Sequence, residues 1–345
     1  MRVAVVGASG NAGTALLRRF GADETITSVA GIARRVPDGR LPAPYDVAEW
    51  VQCDIGRPGE DAPVVDRLTE AFAGADAVVH LAWLIQPSHM RSALRLTNVE
   101  GTRRVIEAVR RAGVPQLVVA SSVGAYSPAP DDVPRREQWP TEGIRSSEYS
   151  VDKAAVERLL DEAEMLQPDL AIARLRPALI FQKHAGAEIQ RYFLGRLFPA
   201  RMLAEELPSL PWPTGLRLQA VHADDVAAAY REVVVRRQRG AFNIAADGVL
   251  HGQDVADMLA GGRLLDVSPT VARNAVAAAW HARAVPVSPG WVDLALQIPV
   301  LDTSRARHDL GWAPTIPAAR ALREIVDGIA AGDGGGSPPL RPRGR

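Results

Sequence analysis

The first thirteen residues limit the possible folds more than any other part of the chain. Residues 2–6 are Arg-Val-Ala-Val-Val, which predicts a buried strand and leaves no room for a signal peptide before it. Gly7, Gly10 and Gly13 follow at once, and residues 14–20 continue with a helical pattern. Glycines at these points permit a tight turn, so that a diphosphate can approach backbone N–H groups at the helix N-terminus. Because the glycines lie between a strand and a helix, they favour a dinucleotide site over a purely structural turn.

Strand patterns and helix patterns then alternate through the first half of the sequence. The strand patterns cover residues 26–32, 50–53, 77–81, 117–120 and 171–175, and the helix patterns cover residues 64–73, 92–112 and 151–166. Such alternation implies right-handed crossovers, and it predicts an α/β fold with a doubly wound parallel Rossmann sheet. Ligands of such sheets bind beyond the carboxyl ends of the strands.

The alternation loosens after residue 177, which suggests a second part of the molecule. We predict a dinucleotide-binding domain over residues 1–180, to which residues 218–247 return. Residues 181–217 and 248–330 are irregular and rich in Pro and Leu, and they predict a small C-terminal substrate-binding part. Residues 332–345 are a Gly-, Pro- and Arg-rich segment, whose composition predicts a disordered tail.

Composition and charge argue against several classes of function. The 345 residues are 47% hydrophobic with a formal net charge of zero, so they can bury a large core and give no reason to expect nucleic acid as a partner. No apolar run approaches the roughly 20 residues that span a bilayer, so we expect no membrane partner. Cys53 is the only cysteine, which excludes an internal disulfide and fits a cytoplasmic location. The seven histidines show no metal-ligand spacing, so we expect no metal.

Tyr149 and Lys153 form the most informative chemical pair, with Ser122 upstream of them. Residues four apart share a helix face, so the phenol and the ammonium group can meet. The ordinary tyrosine pKa near 10 is too high for proton transfer at pH 7, and a fixed positive charge lowers it. Such a tyrosine can give a proton to a carbonyl oxygen or take one from an alcohol, while a serine hydroxyl holds the same oxygen.

Together these residues resemble the short-chain dehydrogenase/reductase superfamily, in its extended, NAD-dependent epimerase/dehydratase-like branch. The resemblance runs from Val3 to about Pro314. Further motifs follow in the order of that family: Cys53-Asp54-Ile55, His80-Leu81-Ala82, Asn98-Val99-Glu100-Gly101-Thr102, residues 121–126, 176–181 and 221–227, Phe242-Asn243-Ile244, and residues 310–314. The resemblance implies an NAD(P)-dependent oxidoreductase that moves a hydride between the nicotinamide and a small-molecule carbonyl/alcohol substrate.

The resemblance also implies the catalytic roles. Tyr149 would move the proton, Ser122 would orient the substrate oxygen, and Lys153 would both lower the tyrosine pKa and bind the nicotinamide ribose. Ser121 competes for the serine role, but the family register, counted back from the following aromatic residue, selects Ser122. Asn98 is either a helix cap or, as the family implies, a kink whose backbone holds a water molecule in the proton relay.

The cofactor contacts follow from the same resemblance. An acid at Asp54 would accept a hydrogen bond from the adenine amino group, Ile55 would pack near the ring, and Pro177 would lie against the carboxamide. Trp83 would border the cofactor and face the substrate. The expected cofactor-binding residues are Gly7, Gly10, Asn11, Ala12, Gly13, Arg34, Arg35, Asp54, Ile55, Leu81, Ala82, Tyr149, Lys153 and Pro177.

Arg34 and Arg35 bear on the choice between NAD and NADP. An acid after the second strand binds the ribose 2′-hydroxyl of NAD, whereas an arginine accommodates the 2′-phosphate of NADP. No Asp or Glu lies between Glu24 and Asp38, and a guanidinium group matches a phosphate bidentately. We therefore predict NADP as the cofactor, with NAD as the alternative. If NAD is the cofactor, Arg34 and Arg35 are ordinary solvated surface residues.

Two departures from the family pattern concern the substrate. Val123 and Gly124 stand where sugar-nucleotide 4,6-dehydratases carry an Asp-Glu pair. Leu218 stands where many epimerases carry an arginine that clamps the diphosphate, and Arg217 is displaced by one residue, which turns a strand side chain to the opposite face. Both departures argue against a sugar nucleotide.

Alternatives remain at this point. The first is an NAD-dependent nucleotide-sugar epimerase, and the second is a non-catalytic dinucleotide-sensing regulator with the same fold. Such regulators usually lose the tyrosine or the lysine, which this chain keeps. The sequence is also compatible with a homodimer. In a later motif we expect His222 to be structural and Asp224 or Asp225 to cap the next helix.

Overall fold

The computed structural model describes residues 1–36, 41–85, 90–195 and 198–342. Its strands are β1 (Arg2–Val6), β2 (Ser28–Ala33), β3 (Ala48–Gln52), β4 (Ala77–His80), β5 (Gln116–Ala120), β6 (Ala171–Pro177), β7 (Leu179–Phe181), β8 (Leu210–Pro213), β9 (Ala220–His222), β10 (Gly240–Ile244) and β11 (Leu264–Val267). Its helices are α1 (Asn11–Gly21), α2 (Asp61–Phe72), α3 (Arg91–Arg95), α4 (Gly101–Ala112), α5 (Glu148–Leu166), α6 (Gly186–Ile189), α7 (Ala223–Val235), α8 (Gly252–Leu259), α9 (Pro269–His281), α10 (Pro289–Gln297), α11 (Ser304–Leu310) and α12 (Ala318–Ala331).

Seven strands form one parallel sheet in the order β10-β6-β5-β4-β1-β2-β3. The chain moves outward from β1 to β3, returns to β4 on the other side of β1, and then moves outward again. Parallel neighbours need crossover connections, and α1, α2, α4, α5 and α7 lie in most of them. The prediction of a doubly wound parallel Rossmann sheet is confirmed. The direction of winding changes between β1 and β4, which is where such sheets bind their ligands.

Apolar side chains from both faces of the sheet build two cores. On one face, Leu16 and Leu17 of α1 pack with Val226 and Tyr230 of α7, and on the other, Leu68 of α2 packs with residues of α4 and α5. The strands therefore carry apolar residues on both faces, as a sheet covered by helices on both sides requires. This burial fixes the carboxyl ends of the strands as a rigid edge.

Residues 181–217 and 248–331 supply most of a smaller unit beside that edge. β8 pairs in parallel with β11, and α12 packs Leu322, Ile325 and Ile329 into a separate apolar cluster with Val255 of α8. Residues 240–244 return to the large sheet as β10, next to β6. Ala306, Leu310 and Trp312 also pack into the core of the large sheet, although they lie within the predicted substrate-binding part. Residues 196–197 lie outside the described residues.

The prediction of a disordered tail over residues 332–345 is wrong for residues 333–342. Ser337 and Leu340 are fully buried, and the Ser337 hydroxyl donates to the carbonyl oxygen of Ser9 at 2.7 Å. Composition alone predicted disorder, but contacts with residues more than 300 positions away hold this segment. Residues 343–345 lie outside the described residues.

No helix in the described ranges is long and apolar enough to cross a bilayer. Within the same ranges, no group of three or more His, Cys, Asp or Glu side chains is arranged to hold a metal ion.

Candidate active site

The turn between β1 and α1 needs glycine at two positions. Gly7 has a φ of 91°, and a Cβ atom there would lie 2.5 Å from the backbone nitrogen of Ala82. A Cβ atom at Gly13 would lie 2.4 Å from the carbonyl oxygen of Gly7. Glycine thus lets α1 start directly on the turn and lets the loop after β4 approach it. No side chain caps the first turn of α1, which leaves its N–H groups for an anionic ligand.

An open cleft of ≈ 740 Å³ lies beyond the carboxyl ends of β1, β2 and β4. Its walls contain the following predicted dinucleotide-binding residues: Gly7, Gly10, Arg34, Arg35, Asp54, Ile55, Leu81 and Ala82. Asn11, Ala12 and Gly13 begin α1 directly after the turn. Pro177 ends β6 and lies outside the walls of this cleft, so its contact with the carboxamide stays a prediction.

The donors around this cleft fit a nicotinamide dinucleotide. The exposed Arg34 and Arg35 directly follow β2 at one end, and the free N–H groups of α1 lie on the glycine turn. Both groups suit phosphate, because each offers fixed N–H donors of positive character. Desolvation also raises the pKa of Glu188, in the same walls, to about 7, against the lowering effect of Arg191 and Arg35.

Ser122 and Tyr149 meet at the carboxyl end of β5. Ser122 is extended, and its hydroxyl oxygen accepts from the backbone N–H of Gly124 at 3.0 Å. The Tyr149 side chain lies next to this hydroxyl, which offsets part of the rise in the pKa of the phenol that desolvation causes. A Cβ atom at Gly124 would lie 2.8 Å from the Tyr149 ring, so the tyrosine can take this position only over a glycine. From the sequence, Gly124 was interpreted only as a missing acid or base, because no local pattern indicates this packing role.

Helix α5 positions the tyrosine and the lysine. Ser147 caps its N-terminus, which places Tyr149 in the first turn and Lys153 one turn later. The ammonium group of Lys153 donates to the carbonyl oxygen of Ala120 at 2.8 Å and lies 3.5 Å from the centre of the Trp83 ring. It is 5.8 Å from the centre of the Tyr149 ring. The trio that the sequence predicted is therefore brought together, with Trp83 stacked on the lysine.

Burial is the largest influence on the pKa values of both Tyr149 and Lys153. Desolvation raises the tyrosine pKa to about 12, against the lowering effect of the neighbouring Ser122 side chain. Desolvation also lowers the pKa of Lys153 to about 7, against the raising effects of Glu157 and Asp152. The prediction from the sequence rested on the attraction between the Tyr149 phenolate and the Lys153 ammonium group. It left out the free-energy cost of burying each charge. The phenol is consequently neutral at pH 7.

Asn98 lies inside a helix and caps none. A π-helical turn, Leu96–Glu100, joins α3 to α4, and the cap interpretation is therefore wrong. The buried Asn98 amide accepts from the backbone N–H of Leu84 at 2.8 Å and donates to its carbonyl oxygen at 3.1 Å. This holds the loop that carries Trp83 against the helix. The family resemblance implied a kink in the helix at Asn98, and a π-turn is such an irregularity. The water molecule bound to the Asn98 backbone stays a prediction.

Aromatic side chains from distant parts of the chain enclose Tyr149. Its ring centre is 5.0 Å from that of Trp291 and 5.9 Å from that of Trp83, and Phe193 packs edge-on against Trp291. The adjoining pocket is also lined by Leu84, Ile85, Leu94, Asn98, Ser147, Glu148, Asp152 and Ser288. Trp291 and Phe193 come from the irregular segments, where no local pattern marks them as part of a site.

A buried cluster of charges lies behind the lysine. Glu157 is bidentate to Arg176, with both oxygens at 2.8 Å, and it also binds Arg174 at 3.1 Å. These arginines lower the pKa of Glu157 to about 2 despite its burial. Ser121 donates to Glu157 at 2.5 Å, so its hydroxyl belongs to this cluster.

Two expectations for the later motif are settled by hydrogen bonds. His222 is structural: its ring accepts from the backbone N–H of Asp224, which makes it the N-cap of α7 in place of Asp224 or Asp225. Asp225 is buried and accepts from the backbone N–H groups of Thr315 and Ile316. It therefore fastens the segment before α12 to α7.

The residues considered for a diphosphate clamp are both engaged elsewhere. Arg217 is buried and donates to the carbonyl oxygens of Ala129 at 3.2 Å and Ile298 at 3.1 Å. Leu218 packs against the apolar cluster of the smaller unit. The pairing of Leu218 with Leu250 in an antiparallel bridge fixes this register.

Comparison with known proteins identifies the family of this chain. The model of the NAD dependent epimerase/dehydratase family matches residues 3–245. The chain belongs to this family. Its fold is that of an extended short-chain dehydrogenase/reductase, and membership supports an enzyme that uses a nicotinamide dinucleotide.

Similar proteins in this family differ in their reactions. The L-arabinose 1-dehydrogenase (NAD(P)(+)) of Haloferax volcanii is 35% identical over 121 residues, 35% of this chain and 41% of that protein. The UDP-glucose 4-epimerase of Mycolicibacterium smegmatis is 27% identical over 338 residues, 95% of this chain and 98% of that protein. The structure of a Thermus thermophilus UDP-glucose 4-epimerase in complex with NAD has a TM-score of 0.67 at 21% identity, covering 95% of this chain and 99% of that one.

The first curated relatives are longer than this chain. They include an uncharacterised protein of Mycobacterium bovis, 27% identical over 252 residues, and the match spans 72% of this chain and 63% of that relative.

Proposed function

We propose that this family member is an NADP-dependent oxidoreductase that interconverts a carbonyl compound and an alcohol. The observation that carries the proposal is the packing of the Tyr149 ring over Gly124 beside the Ser122 hydroxyl, one helical turn from Lys153 and next to the cleft lined by Arg34 and Arg35. An acid–base residue, an oxygen-orienting hydroxyl and a dinucleotide cleft are the parts that such a reaction needs.

Tyr149 and Ser122 hold the reacting oxygen of the substrate between their two hydroxyl groups. Because its pKa is about 12, Tyr149 carries its proton at neutral pH and can donate it to a carbonyl oxygen. When bound, the nicotinamide supplies the hydride for reduction or accepts it for oxidation. Lys153 restores a positive charge near the phenol and favours its anion after the proton has left. We therefore propose reduction as the preferred direction at neutral pH.

The residues around the cleft support NADP over NAD. Arg34 and Arg35 are the cationic groups at the end of β2, and both belong to the cleft walls. Arg35 also faces Glu188, whose pKa of about 7 keeps it partly neutral at physiological pH, so it opposes a phosphate less than an ordinary carboxylate would. The 35% identical relative that accepts either dinucleotide by its name is consistent with this assignment.

The walls around Tyr149 favour a small, largely apolar carbonyl compound. Trp291 forms one side of the space next to the tyrosine, backed by Phe193, and Leu84 and Leu94 form another. Asp152 and Glu148 also line it, but Asp152 is held in an ion pair with Arg91. Asn98, Ser147 and Ser288 also line this space. Apolar walls combined with polar groups that fix orientation are typical of sites for small ligands.

A nucleotide-sugar epimerase is the second candidate, and full-length similarity to the Mycolicibacterium enzyme favours it. Against it, Leu218 packs in an apolar cluster at the clamp position, and Arg217 is held by backbone carbonyl groups. A buried diphosphate without such a partner would cost several kcal/mol. The regulator alternative is disfavoured because the serine, tyrosine and lysine are all kept in contact.

A substrate screen with the pure protein tests the proposal. NADPH and NADH are each supplied with aldehydes, ketones, lactols and sugar nucleotides, and consumption of the cofactor is followed by absorbance. The account expects net NADPH consumption with small apolar carbonyl compounds, faster than with NADH. Conversion of a sugar nucleotide without net cofactor consumption would instead establish the epimerase, and no conversion by a protein that binds dinucleotides would favour the regulator.

A further inference from the structure

The C-terminal segment returns from α12 to the glycine turn. After Gly332, which has a φ of 67°, the carbonyl oxygen of Asp333 accepts from the backbone N–H of Ala187 at 2.8 Å. The Asp333 carboxylate pairs with Lys183 at 3.4 Å. These contacts turn the chain back along the segment that precedes and includes α6.

The middle of this segment is fixed on the dinucleotide turn itself. The buried Ser337 hydroxyl donates to the carbonyl oxygen of Ser9 at 2.7 Å, and Ser9 lies in the walls of the cleft. Leu340 is fully buried, and a Cβ atom at Gly336 would lie 3.3 Å from the Tyr45 ring. Hydrogen bonds from Leu340 to Ser337 and from Gly335 to Leu340, both at 3.0 Å, close the segment into a compact loop.

The far end of the loop forms part of the cleft. Pro339 lies in the cleft walls together with Glu188 and Tyr192, opposite the strand ends. Arg191 donates to the carbonyl oxygen of Pro339 at 2.6 Å and ties the loop to the segment after α6. The side of the cleft that faces away from the sheet is thus partly made of the last described residues.

This segment has little stability of its own. It contains no helix or strand, its composition is Gly-, Ser- and Pro-rich, and Ser337 and Leu340 are its fully buried residues. Such segments open locally at a much smaller free-energy cost than the core. Its contacts nonetheless lie on the residues that would hold the dinucleotide.

We infer that residues 333–342 form a strap across the dinucleotide cleft, and that opening of this strap sets the rate of cofactor exchange. The inference rests on the proposed function, because it needs the cleft to bind a dinucleotide. With the strap closed, Pro339 and the segment after α6 hinder the exit of a bound cofactor. With the strap open, that side of the cleft is exposed to solvent.

Full-length Leu340→Asp tests the strap directly. A carboxylate in place of a fully buried side chain favours the open strap, because the charge regains water on opening. Leu265→Asp is the matched control, since Leu265 is 54% exposed and lies in β11. Release of NADPH after mixing with excess NADP is followed by stopped-flow fluorescence. We expect release at least tenfold faster in Leu340→Asp and unchanged in Leu265→Asp, with circular dichroism intact in both.

The second variant ends at Gly332, and its control ends at Pro342. The first should release NADPH as fast as Leu340→Asp, and the second should behave as the full chain. Wild-type release rates in both Leu340→Asp and the folded chain ending at Gly332 would overturn the strap while leaving the proposed function intact. A full-length protein that binds neither NADPH nor NADH would overturn the proposed function and the strap with it.

Discussion

At the scale of single residues, Tyr149 and Lys153 are both held away from their charged forms. Desolvation moves the tyrosine pKa up to about 12 and the lysine pKa down to about 7. Each shift disfavours the charged state that the other group would stabilise. The Trp83 ring lies against the Lys153 ammonium group and favours its charged form. Proton transfer by Tyr149 would therefore be sensitive to the protonation of Lys153.

The lysine predicts a pH dependence of stability. Its ordinary pKa is 10.5, so above pH 7 the unfolded chain keeps a proton that the folded chain has released, and stability rises with pH. The rise should amount to roughly 2 kcal/mol between pH 7 and 9. Chemical denaturation across this range measures it. Lys153→Met should remove the rise, and Lys183→Met, at a half-exposed lysine, should keep it; the same slope in both variants would refute the assignment.

The arginines after β2 predict the choice of cofactor. The double variant Arg34→Ala with Arg35→Ala should weaken NADP binding by tenfold or more and NAD binding much less, because the two cofactors differ only in the 2′-phosphate. Titration of both cofactors by calorimetry gives the two affinities. Equal losses, or a wild-type protein that prefers NAD, would make these arginines ordinary surface residues.

At the scale of elements, α5 is anchored to β6 by buried charges. Glu157 binds Arg174 and Arg176 of the strand, one turn after Lys153 on the helix. Removing Glu157 would leave the buried Arg176 without a carboxylate partner, whereas Arg174 would keep Asp161 and Glu164. The position of α5 therefore depends on an ion pair that no local sequence pattern marks.

Glu157→Gln should destabilise the protein by about 3 kcal/mol. Glu164→Gln is the control: Glu164 also pairs with Arg174, but it is 39% exposed, and the expected change is below about 1 kcal/mol. Urea denaturation of both variants provides the comparison. A loss of similar size in the two would mean that the buried pair adds nothing beyond a surface contact.

The sequence predicted elements where local periodicity determines them. The strand predicted over residues 117–120 is β5, residues 116–120, and the helix predicted over residues 151–166 begins three residues earlier because Ser147 caps it. The conformation at Asn98 was not resolved from the sequence, because asparagine there is compatible with a helix cap as well as with the π-turn that the structure has. The cap of α7 was assigned to the wrong residue because His222 accepts the bond that an aspartate usually takes.

At the scale of the whole molecule, the fold was predictable and the enclosure of the site was not. Alternating strands and helices predicted the parallel, doubly wound sheet, and the glycine turn predicted the position of the cleft. Trp291 lies 142 residues after Tyr149, and Phe193 lies 44 residues after it. Pro339 reaches the cleft from a position 326 residues after Gly13. Contacts of this kind arise from packing, and composition misled where it predicted a disordered tail.

The central claim is net transfer of hydride with Tyr149 as the proton donor. The most direct measurement supplies NADPH that carries deuterium at both C4 positions of the nicotinamide, together with a carbonyl compound found in the screen, and determines the mass of the alcohol product by mass spectrometry. We predict one deuterium in the product of the wild-type protein and a loss of rate beyond 10²-fold in Tyr149→Phe, with NADPH affinity unchanged. A product without deuterium, or a Tyr149→Phe variant of near wild-type rate, would contradict the account.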